Sequence, residues 1–192
     1  MIGGKNLEKS TIDIVGPSFF RLLHPKLTVL LTCVDEAERA NIITLAWAIP
    51  TSINPPLIAV SISPSRHSHG LIEKTKEFVI NIPTTEILNE MFFCGRKSGK
   101  DIDKFRETGL TPLPARKVKP PIIKECVAFL ECKLFNQVPT GDHTLFIGEV
   151  LAAYVDKDAF NKTYDLEKIK LIYHMGGNQF TTLNPEIMTP ET

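Results

Sequence analysis

The sequence carries no excess charge of either sign. Its 192 residues hold 22 Lys+Arg against 22 Asp+Glu, for a formal net charge of zero, and no run of Lys or Arg exceeds two residues. Nucleic-acid binders carry a basic excess that displaces counterions from phosphates, so nucleic acid is not an expected partner. Near-zero charge also means little repulsion between copies, which leaves room for self-association. Cysteine is sparse. Cys33, Cys94, Cys126 and Cys132 contain no C-x-x-C pair, which argues against a zinc ribbon or a thioredoxin-type site. Cys33, Cys126 and Cys132 fall in apolar strand-like runs, where a reduced thiol packs as a small hydrophobe, and four cysteines make no disulfide scaffold in a chain of this size. No segment approaches about eighteen uninterrupted apolar residues, and residues 1–16 show no apolar leader core. The expectation is no membrane span and a cytoplasmic location. G-x-G-x-x-G and G-x-x-x-x-G-K-[ST], two familiar phosphate-binding fingerprints, are also missing.

What is present is the ordinary mix of a globular chain, 43% hydrophobic and 23% charged, with a length that reads as one domain over residues 1–192. Strand signals dominate. Residues 26–34, 42–50, 57–63 and 77–83 are β-branched and apolar, and 126–138 and 143–155 are longer runs of the same kind. Pro50 ends the second of these, and Asn54-Pro55-Pro56 is a rigid break before the third. The turn "PTGD" around Gly141 predicts a hairpin, and "IKLIYHMGGNQF" a last strand with a glycine bend. Helical signals are short. Ser68 is the N-cap candidate for residues 68–76, threonines open 84–96, and "SGKDIDKFRETG" ends at Gly109. Six or seven strands with short helical insertions predict a mainly β fold, a closed or nearly closed antiparallel barrel.

The junction "SISPSRHSHGLIEKTK" places Ser63, Ser65, Arg66 and Ser68 where a strand hands over to a helix. A helix N-terminus presents unpaired N–H groups and the positive end of its dipole, worth roughly 0.3–1 kcal/mol to an anion. Serine hydroxyls and an arginine fork add charged hydrogen bonds of about 1.5–3 kcal/mol, enough together for a mononucleotide phosphate at micromolar affinity. The plainer reading is a serine cap with Arg66 in solvent. Asn41, Thr44, Thr51 and Ser52 precede this junction among strand residues, and Ser98, Lys104 and Phe105 follow it as a polar, cationic and aromatic set. His67 and His69, two apart, share no helical face, and no local cluster completes a metal set.

Five blocks in order, "ANIITLAW", "TSINPPLIAVSI", "SPSRHSHGLIEKTKEFVINIP", "SGKDIDKFRETGL" and "GDHTLFIGEV", resemble the flavin reductase-like family, the split barrels that include flavoredoxins and archaeal ferric reductases. The resemblance spans roughly residues 16–177. It implies an FMN-binding split β-barrel, Greek-key-like, forming a homodimer with non-covalent FMN near the interface. Asn41, Thr44, Ala46 and Trp47 would lie along the flavin ring edge, and Thr51 and Ser52 by the ring or ribityl chain. The resemblance assigns the phosphate to Ser63, Ser65, Arg66 and Ser68, and brings in Ser98, Lys104 and Phe105 from the following segment.

His143, in "GDH", would face the flavin where a donor such as NAD(P)H stacks, although Asp before His at a hairpin turn is also an ordinary structural pairing. Trp47 reads as core or flavin-adjacent, and Tyr173 or His174 in "YHMGG" either turns toward the flavin or, as a lone aromatic beside a strand bend more often does, packs. The activity implied is an NAD(P)H-dependent reductase serving free flavin, ferric iron or another small acceptor. The alternative is an FMN electron carrier of the flavoredoxin type, which exchanges electrons with protein partners.

Overall fold

Alternation with period two builds the scaffold. The computed structural model describes residues 10–14 and 16–190, so part of the N-terminal stretch read above for a leader, residues 1–9, lies outside the described residues. The main strands are Val29–Val34 (β1), Ala40–Leu45 (β2), Ala48–Ser52 (β3), Leu57–Ile62 (β4), Glu77–Ile82 (β5), Ala128–Thr140 (β6) and His143–Val155 (β7). They join in the order β2-β1-β5-β6-β7-β4-β3, with every pairing antiparallel.

β2 and β3 form opposite margins of this sheet, yet only Ala46 and Trp47 separate them in the chain. Three peptide steps span at most about 11 Å. The sheet must therefore curl until its margins face each other across that link, giving a barrel left open along one seam.

Every residue of β1 is buried, which an exposed outer face would forbid. Val29, Leu31 and Cys33 point into the barrel with Phe78, Ile80 and Phe146, while Leu30 packs outward with Val79, Met91 and Phe105. Two apolar layers thus share one sheet. The helix His67–Thr75 (α1) plugs the inner layer with Leu71 and Ile72. The outer layer is covered by Leu88–Arg96 (α2), Lys104–Thr108 (α3) and the proline-rich strap 110–123. That strap is fastened by polar side chains: Asn81 Oδ1 accepts from the Ile123 N–H at 2.9 Å, and Glu77 from the Lys119 N–H at 2.9 Å. A separate three-stranded sheet joins Lys26–Leu27 to the hairpin Tyr173–Gly176 and Gln179–Thr181.

Several local expectations change. Residues 42–50 are two strands broken at the seam, and Pro50 lies inside the second, where an edge position tolerates a missing N–H. Residues 26–34 likewise divide between the small sheet and the barrel. Helix α1 begins one residue earlier than Ser68. Arg66 holds the N-cap with extended backbone and no side-chain cap, because the Ser68 hydroxyl is engaged by Asn41 instead. The threonines before α2 contribute no side-chain cap; the chain enters through a short 3-10 turn, Thr85–Ile87. The hairpin at 140–143 forms as read, with Gly141 at φ 62°, and Asp103 caps α3 by accepting from the Arg106 N–H.

β7 carries a glycine where the inner layer is tightest. A Cβ on Gly148 would sit 2.5 Å from the Phe78 ring and 3.0 Å from Cys132 Cβ. Gly148→Ala is expected to cost about 1–3 kcal/mol by overpacking. Thermal unfolding checks this, and an unchanged midpoint would show that the core yields there.

Candidate functional site

The seam opens onto a cavity of about 430 Å³, within the size range of small-molecule sites. β2 and the Ala46-Trp47 link form one wall, and the end of β4 with the head of α1 forms the second. The last residues of α2 and the segment that follows, Gly95–Gly99, form a third, and His174, Gly177 and Phe180 from the C-terminal hairpin complete it. His143, the first residue of β7, reaches in beside Trp47, with the rings 5.0 Å apart.

The charge of this wall is one-sided. Arg66, Arg96, Lys97 and Lys104 line it, and among the described residues no Asp or Glu does. In a chain with 22 charges of each sign that separation marks a site for an anion. Lys104 is the buried member, 4% exposed, and donates to the Ile42 and Cys94 carbonyls at 2.7 Å each. Burial, reinforced by the nearby Arg66 charge, holds its ammonium below the usual lysine pKa.

At the head of α1, the Ser63 and Ser65 hydroxyls lie 3.0 Å apart, and the Ser63 carbonyl accepts from the Arg66 N–H. His67, the first residue of α1, is held below the ordinary histidine range by burial and then by the charges of Lys100 and Lys104. Below this corner, Cys33 is pushed up to about 12 and Cys94 to about 11, both chiefly by burial. Both stay thiols at neutral pH, so neither is a nucleophile here.

Two polar atoms on the wall are buried without a partner: Asn41 Oδ1 and Thr28 Oγ1. Asn41 Nδ2 donates to Ser68 Oγ at 2.8 Å, which turns its oxygen toward Gly99. A Cβ on Gly99 would overlap that oxygen, so the glycine is what admits it there. Buried acceptors left open in this way cost free energy unless a ligand or water meets them.

The opposite side is aromatic. Phe20 from the N-terminal 3-10 turn packs 5.5 Å from Trp47, His174 lies 5.3 Å from Phe180, and Phe180 lies 6.1 Å from Phe92. His143 Nδ1 meets the Asp142 carboxylate at 2.8 Å, and this hydrogen bond holds Asp142 below the usual carboxylate range. The contact orients the imidazole so that Nε2 is the nitrogen free for a ligand.

Of the residues singled out from the sequence, Asn41, Thr44, Ala46, Trp47, Ser63, Ser65, Arg66, Ser68, Ser98, Lys104 and His143 line this one cavity. Three do not. Thr51 and Ser52 lie at the far end of β3, which leaves the seam at Ala48 and carries them about 13 Å along an edge strand. Phe105 turns into the outer apolar layer. Thr28, Phe92, Arg96, Lys97 and Phe180 line the cavity without having been singled out, and of Tyr173 and His174 it is His174 that lines it. The adjacent cations "RK" at the end of α2 were the one available signal, but such residues also suit a helix C-terminus anywhere.

An antiparallel barrel split along one seam, with a cationic corner and an aromatic mouth opening there, defines a split-barrel protein with a cavity suited to an anionic small molecule. Residues 21–181 match the Flavin reductase like domain. An uncharacterized protein of Archaeoglobus fulgidus is 40% identical over 169 residues, covering 88% of this chain and 94% of its own. Among solved structures, the flavoredoxin of Desulfovibrio vulgaris superposes with a TM-score of 0.79 at 27% identity, covering 98% of this chain and 97% of that one. An FMN-binding protein from Thermus thermophilus, with bound p-hydroxybenzaldehyde, gives 0.83 at 25% identity, covering 95% and 99%. The chain belongs to the flavin reductase-like family. Among the described residues, no helix is long and apolar enough to cross a membrane.

Proposed function

We propose that this cavity binds FMN non-covalently and that the protein is an NAD(P)H-dependent reductase of a small acceptor, free flavin or ferric iron. The observation that carries the reading is the cavity wall with four cations and no carboxylate among the described residues. The residues present fit the cofactor. Ser63, Ser65 and Arg66 at the head of α1, with Ser98 and Lys104 across from them, suit a phosphate monoester. The unpartnered Asn41 and Thr28 oxygens suit a ligand with polar hydrogens to give, and Thr44, Ala46 and Trp47 offer a wall for its ring. Held by those residues, FMN would supply the redox chemistry, hydride acceptance and electron delivery.

The chain's own residues position and enclose. Trp47 and Phe20 shield the seam from water. His143, oriented by Asp142, stands at the mouth, 25% exposed, where a donor ring enters. Its role is to place that ring and to hold or release a proton at Nε2. The proposed assembly is a homodimer. Phe19 and Leu23 beside the mouth, and Ile49 and Ile53 by the edge strand β3, are exposed apolar residues that a second copy would cover. Four buried free thiols fit a reducing compartment, and the proposed location is the cytoplasm.

A flavoredoxin-like carrier is the second reading, favoured by the likeness to that structure over nearly the whole chain. One set of measurements separates the two. The chromophore released from purified protein is identified by its spectrum and mass, and the FMN-loaded protein is then titrated anaerobically with NADH and NADPH while sedimentation velocity reports its assembly. Bleaching by either nucleotide supports the reductase, with His143→Ala expected to keep FMN but slow the bleaching. Bleaching only by a reduced protein partner makes it a carrier, and a protein that takes up no flavin ends both.

A further inference from the structure

The cavity holds more positive charge than one phosphate corner uses. Arg66 and Lys104 belong to that corner, close enough for the Arg66 charge to act on Lys104. Arg96 and Lys97 line the same cavity from the last turn of α2 and just beyond. Arg96 faces the aromatic side: its guanidinium carbon lies 5.6 Å from the centre of the Phe92 ring. From Phe92 the aromatic contacts run on to Phe180 at 6.1 Å and then to His174 at 5.3 Å, and all three line the cavity. Among the described residues, neither Arg96 nor Lys97 forms an ion pair with a carboxylate. Two unpaired cations that share a cavity wall with three rings, Arg96 over the first of them, form a recognition surface of their own at a mouth that among the described residues has no acid.

We infer that Arg96 and Lys97, with Phe92, Phe180 and His174, form a second anion subsite. It selects the reactant that meets the flavin and favours a planar ring carrying a negative group, either a carboxylate on the ring or a phosphate tethered to it. This rests on the flavin reading for what fills the inner part of the cavity. Aromatic edges accept a flat ring at low entropic cost, and the planar guanidinium offers paired donors to an oxyanion. Both cations are exposed at the mouth, so the attraction acts at the entrance and is weakened by salt.

Two matched pairs of probes test it by calorimetric titration of the FMN-loaded protein at low ionic strength. Benzoate against benzamide reads a carboxylate on the ring, and nicotinamide mononucleotide against nicotinamide riboside reads a tethered phosphate. The charged member of at least one pair is expected to bind about tenfold more tightly, as one charged hydrogen bond implies. Arg96→Gln with Lys97→Gln should erase that preference, and which pair responds identifies the source of the anion.

Equal affinity within both pairs, or a preference that survives the double substitution, overturns the inference. So does a loss of FMN affinity in Arg96→Gln as large as in Arg66→Ala, which would move Arg96 into the phosphate corner. FMN titration of the unloaded protein comes first. Failure there removes the flavin reading on its own, and the probe pairs, repeated without FMN, still decide the subsite.

Discussion

Arg66→Ala is expected to weaken FMN binding by about 1–3 kcal/mol, roughly five- to 150-fold, while leaving the unloaded protein's thermal midpoint unchanged. The separation of the two effects follows from how the residue is held. Arg66 occupies the N-cap of α1 through its backbone, at φ −84° and ψ 134°, and its side chain makes no capping hydrogen bond. Alanine adopts the same extended backbone. The helix therefore loses nothing that its own fold uses, and its buried Leu71 and Ile72 still anchor it.

What is lost is the fork of donors above the Ser63–Ser65 pair, together with one of the cavity's four cations. Because Arg66 is exposed, the difference between wild type and variant should shrink as ionic strength rises. Flavin fluorescence quenching during titration reads the affinity, and calorimetry of unloaded protein reads the fold. Full FMN affinity in the variant would remove the phosphate from this corner.

The corner proposed for the phosphate stands out in the sequence because it is local. Four polar residues at one strand-to-helix junction need no knowledge of tertiary structure to be read as a phosphate cradle. The strands were legible for a related reason: β1 and β5 are buried on both faces, which leaves short, β-branched and apolar runs that read as strands in the residues themselves. The seam was not. "IITLAWAIP" is apolar apart from Thr44, and nothing in its composition shows that the chain crosses from one sheet margin to the other at Ala46-Trp47.

The same break explains why Thr51 and Ser52 fall away from the site while their neighbours stay. Ser68 misled in the opposite sense. A serine at a helix head reads as a cap, but this one is claimed by Asn41, 27 residues earlier in the chain. The aromatic mouth was least legible, because it joins Phe20, Trp47, Phe92, His174 and Phe180 from segments that meet only when both ends of the chain pack across the barrel. The resemblance supplied His143, which residue chemistry alone left at an ordinary turn.

Glu131→Ala is expected to destabilise the fold by about 3–5 kcal/mol, because three buried donors lose their acceptor. Glu131 stands in the middle of β6, fully buried, in a run that reads as apolar. Its carboxyl accepts from the Arg116 N–H at 2.8 Å, from the Lys117 N–H, and from the Tyr154 hydroxyl at 2.7 Å. The two amides belong to the proline-rich strap, so one side chain fastens that strap to the barrel wall. Arg116 then folds over Tyr154, with its guanidinium carbon 3.7 Å from the ring centre. Burial, and then the hydrogen bond to Glu131, raise the Tyr154 phenol well above its ordinary range, so the hydroxyl stays a donor.

Removing the carboxyl strands three donors, at about 1–3 kcal/mol for each one kept from water, and part of that is recovered where the strap lifts. For a chain of this length the thermal midpoint should fall by roughly 6–20 °C. Glu131→Gln keeps the volume and one acceptor oxygen, and should fall between the two. Limited proteolysis would cut first within residues 110–121 of the variant. No residue of the strap lines the seam cavity, so the folded fraction should bind the proposed FMN as wild type does. A midpoint within two degrees of wild type, with the strap still protected, would show that the Asn81 and Glu77 contacts hold it unaided.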